Sequence, residues 1–237
     1  MDYVIGDVHG YLDAFVELVN KISLTAQDNL YIIGDVIDRG QRPVDMLQLV
    51  MHEKNMHFIL GNHEDMLLNY VKDGSTERWM RNGGEVTLRQ WQKLPAKRRR
   101  DLADYLHAAP LYRKVGRFLL VHAGIMTPEE IPDTPKAAVD EILATQTRTA
   151  LLWSREDFFN RPALAETTVV FGHTSTARIR GTRGLDSPPQ LSIWHDELYH
   201  DKIGIDCGSY RPGGQLGCLR LDDLTEFYVP TNLPEHQ

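Results

Sequence analysis

The chain has 237 residues, of which 42% are hydrophobic and 25% charged, and its formal net charge is −7 at pH 7. A chain of this size and composition can bury a sizeable core and is typical of soluble globular proteins. The negative net charge argues against nucleic acids and anionic membranes as partners. No apolar run approaches the roughly 20 residues of a transmembrane helix, and without a signal peptide a cytoplasmic location is expected.

The first 70 residues repeat one pattern three times: a short apolar run, a polar loop that contains glycine, and an amphipathic helix. The apolar runs cover residues 3–5, 30–33 and 57–60, and such alternation predicts strands of one sheet joined by helical crossovers. Each strand then ends at a polar loop, which is where open α/β sheets place their ligands. The 3.6-residue period predicts that the first helix turns four side chains inward, Leu12, Phe15, Val16 and Val19.

The middle of the chain, residues 73–110, breaks this rhythm and is predicted to form two or three inserted helices. Its basic run, Lys97 to Arg100, is interpreted as a solvated helix face, with contact to a phosphorylated substrate as the alternative. Strands are predicted at 118–121 and 168–171. Four short strands near 191–195, 203–206, 215–221 and 225–229 are expected to form a second, mostly antiparallel sheet.

Nothing in the sequence divides the chain: no linker or internal repeat is present, so residues 1–237 are predicted to form a single domain. The two cysteines, Cys207 and Cys218, are too few for a disulfide framework and are expected to be buried, reduced thiols.

Polar clusters follow five of the predicted strands, and each is bordered by a glycine: Asp7/His9, Asp35/Asp38/Arg39, Asn62/His63, His122 and His173. Oxygen and imidazole ligands without thiolate suit Mn, Fe or Zn rather than a structural zinc cluster. Two metal sites can be assembled from these residues. Asp7, His9 and Asp35 would form one; the other, bridged by Asp35, would comprise Asp35, Asn62, His122 and His173. Two cations about 3.5–4 Å apart can clamp a phosphoryl group and activate water for attack on phosphorus.

Five ordered motifs, GDVHG (6–10), GDVIDRG (34–40), GNHE (61–64), HAG (122–124) and GHT (172–174), resemble the calcineurin-like metallophosphoesterases. More narrowly, they resemble the phosphoprotein phosphatase branch in its compact bacterial and phage form, as do the segments 79–84 and 152–156. The resemblance implies an α/β fold with a four-layer αββα sandwich of mixed sheets and a small helical insertion around 73–110. It also implies two divalent metal ions, with Mn favoured and Fe or Zn open. Asp38 would orient His63, and Arg39 and Arg155 would hold phosphate oxygens.

Elementary chemistry agrees with these implied roles. A protonated His63 beside the metals could give its proton to the leaving oxygen, which is typically worth ~10²–10⁴-fold in rate. Asp38 could favour the imidazolium by its opposite charge, and the planar fork of Arg39 matches two phosphate oxygens.

The leading functional hypothesis is a metal-dependent phosphomonoesterase acting on phosphoserine or phosphothreonine in proteins. The alternative is a symmetrical bis(5'-nucleosyl)-tetraphosphatase, whose substrate is diadenosine tetraphosphate. Symmetrical tetraphosphatases often lack the acid at Asp38 and carry Asp at Glu64, so these two residues favour the protein phosphatase. Other phosphomonoesters or diesters, or a degenerate scaffold without activity, are weaker alternatives. The expected partner is a phosphorylated protein or a nucleotide, and the sequence leaves the oligomeric state open.

Overall fold

The computed structural model describes residues 1–126, 137–164, 166–182, 184 and 190–231, and within these residues the strands form two mixed sheets. The first sheet contains β1 (Asp2–Ile5), β2 (Asn29–Ile32), β3 (Met56–Phe58), β9 (Gln215–Arg220) and β10 (Glu226–Pro230). Its order is β10-β9-β1-β2-β3. Strands β1, β2 and β3 are parallel, β9 is antiparallel to β1, and β10 is antiparallel to β9.

The second sheet contains β4 (Tyr112–Val115), β5 (Phe118–Val121), β6 (Thr168–Phe171), β7 (Trp194–His195) and β8 (Lys202–Gly204). Its order is β4-β5-β6-β8-β7, with β5, β6 and β8 parallel. The helices of the first half are α1 (Leu12–Lys21), α2 (Pro43–His52), α3 (Asn62–Asp73), α4 (Glu77–Arg81), α5 (Glu85–Lys93) and α6 (Ala96–Ala108). Those of the second half are α7 (Ala137–Ala144), α8 (Arg148–Trp153), α9 (Glu156–Phe159) and α10 (Thr176–Thr182).

The two sheets pack face to face with helices on both outer sides. Side chains alternate along a strand, so Val4 of β1 lies between the sheets while Tyr3 and Ile5 contact the outer helices. The inner cluster joins both sheets through Val4, Tyr31, Ile33, Leu120, Val170 and Ile203. The outer face of the second sheet is covered by Val139, Leu143, Leu151, Phe158 and Ile179. The expected four-layer αββα architecture is therefore confirmed.

Two details of the sequence prediction are wrong. The four C-terminal strands do not form a sheet of their own, because β7 and β8 extend the second sheet while β9 and β10 extend the first. Val16 does not face the core: its exposure is 44%, whereas Leu12, Phe15 and Leu18 are buried. Leu12, Phe15 and Leu18 are spaced three residues apart and define the buried face of the helix, and Val16 lies outside this face.

The insertion consists of three helices, α4, α5 and α6, as predicted. Its buried side chains, Trp79, Trp91 and Leu102, join the cluster on the outer face of the first sheet. In the basic run Lys97 is exposed and its ammonium group lies 3.0 Å from the Asp101 carboxylate.

The two cysteines are free and buried, as expected, and burial raises the pKa of Cys218 to about 12. Among the described residues, no helix has the length and apolar character that crossing a membrane requires.

Candidate metal centre

The loops that follow the strands hold the candidate residues in a backbone conformation that side chains rarely adopt. Five of them have φ between 49° and 71°: His9, Asp35, Asp38, Arg39 and His173. Such residues cost about 1–3 kcal/mol each and persist only where the surroundings impose them. One such constraint is Gly61, where a Cβ would lie 2.4 Å from the Asp35 nitrogen. The GNHE and GDVIDRG loops therefore pack backbone against backbone.

Glu64 fastens these two loops together. Its buried carboxylate accepts N–H groups from Asp35 (2.9 Å), Val36 (2.9 Å), Ile37 (3.2 Å) and Gly61 (3.1 Å). Burial, and after it the charge of Asp35, raises the pKa of Glu64 to about 8. Its position at the start of α3 makes this side chain the organiser of the loop that carries Asp35. In the sequence, Glu64 distinguishes branches of the family but carries no signal of this role.

The first predicted group comes together around His9. Its Nε2 lies 3.9 Å from Asp7 Oδ2 and 3.8 Å from Asp35 Oδ2. The His9 Nδ1–H donates to the Ile37 carbonyl (2.9 Å), so Nε2 carries the lone pair that binding a metal ion requires. His63 Nε2 also lies 3.8 Å from Asp35 Oδ2, which places His63 at the edge of this group.

The second predicted group meets on the other oxygen of Asp35. Asp35 Oδ1 lies 3.4 Å from His122 Nε2. Asn62 Oδ1 lies 2.7 Å from His122 Nε2 and 2.9 Å from His173 Nδ1. Asp35 thus faces both groups, as the predicted bridging position requires.

These donor sets fit divalent cations. Burial lowers the pKa of His9, His122 and His173, which keeps the imidazoles neutral, the form that binds metal. The His122 Nδ1–H donates to the Ile33 carbonyl (2.8 Å), so its Nε2 and Asn62 Oδ1 face each other as two acceptors. Two acceptors that face each other beside buried carboxylates would be stabilised by a cation bound between them. Buried nitrogen and oxygen ligands suit Mn, Fe or Zn.

Asp206 is a further buried carboxylate that adds to the negative charge of the cluster. It is not among the residues predicted from the sequence. Burial and then the charge of Asp206 raise the pKa of Asp7 well above its usual range. Asp206 Oδ1 accepts the Gly208 N–H (2.8 Å), and within the described part of the chain its Oδ2 is buried without a partner. The sequence contains a signal for Asp206, since it follows the apolar residues of β8 and has a glycine two residues later, and the five recognised clusters likewise follow apolar runs and are bordered by a glycine.

His63 and Asp38 form a buried pair next to the first group. The His63 Nδ1–H donates to Asp38 Oδ2 at 2.5 Å. Two residues of the insertion complete the shell of Asp38: the Trp79 indole N–H donates to Oδ2 (2.7 Å), and the Thr87 hydroxyl donates to Oδ1 (2.5 Å). Thr87 also accepts the Asp38 N–H (3.0 Å). The insertion thus holds the carboxylate that orients His63. In the sequence, Trp79 stands out only through the resemblance of segment 79–84 to the family, and nothing in the pattern indicates Thr87.

Thr87→Val is expected to destabilise the protein by about 1–3 kcal/mol, because two buried hydrogen bonds to Asp38 lose their partner. Urea unfolding measures the free energy, and turnover of p-nitrophenyl phosphate should fall in the same variant. Thr87→Ser keeps the hydroxyl and should recover most of both losses. Wild-type stability and turnover in Thr87→Val would show that Thr87 does not hold Asp38.

The two predicted arginines contact different histidines of the cluster. The Arg39 guanidinium contacts His9 Nε2 and stacks 3.9 Å from the Tyr210 ring centroid, and its backbone N–H donates to Gly83 of the insertion (3.1 Å). Arg155 Nη1 donates to Thr174 Oγ1 (2.9 Å) and to the His173 carbonyl (3.4 Å). All ten predicted site residues therefore converge on one edge of the two sheets.

This fold and this cluster define a metal-dependent phosphoesterase. The chain belongs to the calcineurin-like phosphoesterase family, whose sequence model matches residues 3–206. The resemblance inferred from the five motifs is thereby confirmed.

Two curated relatives are named as nucleotide hydrolases. The symmetrical bis(5'-nucleosyl)-tetraphosphatase of Neisseria meningitidis is 29% identical over 164 residues, covering 68% of this chain. This chain spans only 56% of the length of that relative. The asymmetrical bis(5'-nucleosyl)-tetraphosphatase PrpE of Bacillus thuringiensis is 23% identical over 269 aligned positions, covering 98% of this chain and 94% of the relative.

Solved structures share the fold. A crystal structure assigned provisionally as a diadenosine tetraphosphatase superposes with a TM-score of 0.68 at 21% identity, covering 97% of this chain and 92% of the other. A serine/threonine phosphatase from Saccharomyces cerevisiae superposes with a TM-score of 0.58 at 17% identity, covering all of this chain and 81% of the other. At these identities the similarity demonstrates the fold.

Proposed function

We propose that this metallophosphoesterase hydrolyses the phosphoanhydride chain of a bis(5'-nucleosyl) tetraphosphate, such as diadenosine tetraphosphate. The observation that carries the proposal is the alignment with the asymmetrical tetraphosphatase PrpE over 98% of this chain and 94% of that protein. This reverses the order of the two functions expected from the sequence.

The two residues that favoured a protein phosphatase have roles that either substrate class can use. Glu64 binds four backbone N–H groups and shapes the loop of Asp35. Asp38 orients His63 and is held by the insertion. Glu64 therefore does not separate the two functions, and Asp38 bears on them only through the proton that His63 would supply.

Divalent ions would be held by Asp7, His9 and Asp35 and by Asp35, Asn62, His122 and His173. When bound, they would polarise a phosphoryl oxygen and lower the pKa of water so that it becomes a nucleophile at neutral pH. Manganese is proposed, with iron and zinc as alternatives that the same ligands accept.

The remaining steps belong to the side chains. His63 is proposed to protonate the leaving oxygen through Nε2, because its Nδ1 is engaged by Asp38. Arg39 and Arg155 are proposed to bind oxygens of the reacting phosphate, where a guanidinium can supply paired N–H donors.

A protein phosphoserine/phosphothreonine phosphatase remains the second candidate, and one observation favours it. The His63–Asp38 pair is buried and its carboxylate receives hydrogen bonds from Trp79 and Thr87. Such a well-held general acid is most valuable for an alkoxide leaving group, which is far more basic than a nucleotide.

A turnover panel tests the proposal directly. We expect kcat/KM for diadenosine tetraphosphate to exceed that for phosphoserine and phosphothreonine peptides by at least about tenfold, or about 1.4 kcal/mol in transition-state stabilisation. Bis(p-nitrophenyl) phosphate serves as the diester control. Chromatography of the products distinguishes symmetrical cleavage to ADP from asymmetrical cleavage to ATP and AMP. A kcat/KM at least about tenfold higher for the phosphopeptides than for diadenosine tetraphosphate would refute the proposal and establish the second candidate.

Arg39→Lys is expected to weaken inhibition by inorganic phosphate by roughly tenfold or more, because one charge-assisted hydrogen bond is worth about 1.5–3 kcal/mol. Lysine keeps the charge but lacks the bidentate fork. Arg155→Ala should act in the same direction, and the metal content of both variants should stay at the wild-type level. Arg42→Lys, at an exposed ion pair with Asp45, is the matched control. Unchanged phosphate inhibition in Arg155→Ala would remove Arg155 from the phosphate site.

A further inference from the structure

A cavity of about 560 Å³ opens beside Arg155, on the side of the candidate metal centre formed by His173. Its walls come from the loop after β5, from the end of α8 with the turn that follows it, and from α9, and include Ile125, Met126, Trp153, Arg155, Asp157 and Phe158. This volume is within the range of cavities that bind small molecules, about 300–1,000 Å³.

The cavity is connected to the metal centre through two of its residues. Arg155 donates to Thr174 Oγ1 and to the carbonyl of His173. The Trp153 ring packs edge-to-face against the His173 imidazole, with centroids 5.8 Å apart. Because Arg155 lines the cavity, a phosphate bound by Arg155 would lie at this wall, and the group attached to that phosphate could extend into the cavity.

The lining suits a flat apolar ring. Met126, which is 54% exposed, and the half-buried Trp153 ring supply the apolar surface, and the Arg78 guanidinium stacks on the Trp153 ring 3.5 Å from its centroid. Ile125 and Phe158 also line the cavity but are almost fully buried. The backbone of Met126 is fixed by Gln146, which accepts its N–H (2.6 Å) and donates to its carbonyl (2.9 Å). Methionine adapts to ring surfaces and makes favourable sulfur–aromatic contacts. An exposed methionine on a fixed backbone is a suitable wall for a base.

The charges beyond Arg155 disfavour a further phosphate in this cavity. Two carboxylates, Glu156 and Asp157, and one cation, Arg161, line it there. The Glu156 carboxylate already accepts a hydrogen bond from Arg178 Nη2 (2.6 Å), and Asp157 is exposed. Carboxylates bind sugar hydroxyls, as in dinucleotide sites where an acidic residue accepts the ribose hydroxyl. The occupant should therefore be uncharged, apolar on its faces and rich in hydrogen-bond donors at its edge.

We propose that this cavity binds the nucleoside attached to the reacting end of the phosphate chain, with the base against Met126 and Trp153 and the ribose near Asp157. The inference rests on the proposed dinucleoside tetraphosphatase function. It adds the position of the group that distinguishes a nucleotide from other phosphoesters.

The test compares a substrate that has a nucleoside with one that has none. Met126→Glu places a charge in the apolar wall. The measured quantity is kcat/KM for diadenosine tetraphosphate divided by kcat/KM for p-nitrophenyl phosphate. We expect Met126→Glu to lower this ratio at least about tenfold, mainly by raising KM for diadenosine tetraphosphate. Met126→Leu keeps the wall apolar and should retain the ratio. Leu198→Glu makes the same kind of change at an apolar residue of 64% exposure outside the cavity lining, and should leave both activities unchanged.

Inhibition measurements separate this inference from the function on which it rests. AMP should inhibit p-nitrophenyl phosphate turnover more strongly than inorganic phosphate in the wild type, and Met126→Glu should abolish that difference. A wild type without activity on diadenosine tetraphosphate would refute the proposed function, while stronger inhibition by AMP would still support the nucleoside site. Equal inhibition by AMP and phosphate, or a ratio unchanged in Met126→Glu, would overturn the nucleoside site.

Discussion

Asp35→Asn is expected to lower the metal content of both groups and to reduce kcat by more than roughly 100-fold. Loss of a residue that only orients a metal ligand already costs about 10–100-fold in metal affinity or activity, and Asp35 is itself a predicted ligand. One oxygen of Asp35 faces His9 and His63, and the other faces His122. Asparagine offers one neutral oxygen and an amide group that cannot bind a cation. Metal content is measured by mass spectrometry on the purified protein, and kcat with p-nitrophenyl phosphate.

Three controls make this result interpretable. Asn62→Ala should empty mainly the second group, since Asn62 contacts His122 and His173. Asp45→Asn removes an exposed carboxylate that pairs with Arg42, and should retain both metals and activity. Wild-type enzyme stripped by a chelator should lose turnover and regain it with Mn²⁺. Turnover that persists after complete metal removal would contradict the two-metal centre.

His63→Asn is expected to reduce turnover of phosphoserine peptides by ~10²–10⁴-fold, the usual contribution of a general acid. The loss should be smaller with p-nitrophenyl phosphate and with diadenosine tetraphosphate, because nitrophenolate and nucleotide leaving groups depend less on protonation. Asparagine retains hydrogen-bonding capacity but has no proton to give at neutral pH. The metal content should remain that of the wild type, since His63 is not one of the predicted ligands and these are unchanged.

The dependence on the leaving group is the decisive measurement for His63. An equal loss on all three substrates, or a loss of metal, would mean that His63 binds metal or phosphate instead of supplying a proton. His52→Asn makes the same substitution at an exposed residue on α2, where the ring contacts the Gln48 carbonyl, and should leave every rate unchanged.

The local pattern was sufficient to predict the candidate ligands, because every one of them follows an apolar run at the end of a strand. Parallel strands place their carboxyl ends at one edge of a sheet, so the sequence pattern alone predicts that Asp7 and Asp35 meet. The family and the four-layer fold followed from the same five motifs, and the family match to residues 3–206 confirmed them.

Contacts between distant segments could be decided only by the tertiary structure. Trp79 and Thr87 lie 41 and 49 residues from the carboxylate of Asp38 that they hold, and no periodicity reports such a pairing. The sequence could not assign β9 to the first sheet and β8 to the second for the same reason. Hydrophobic alternation predicts that a segment is a strand but not which strand lies beside it. The sequence by itself therefore determined the family, the four-layer fold and the set of candidate residues for metal and phosphate. The tertiary structure decided which side chains orient them and which cavity lies beside them, because those properties depend on packing between segments far apart in the chain.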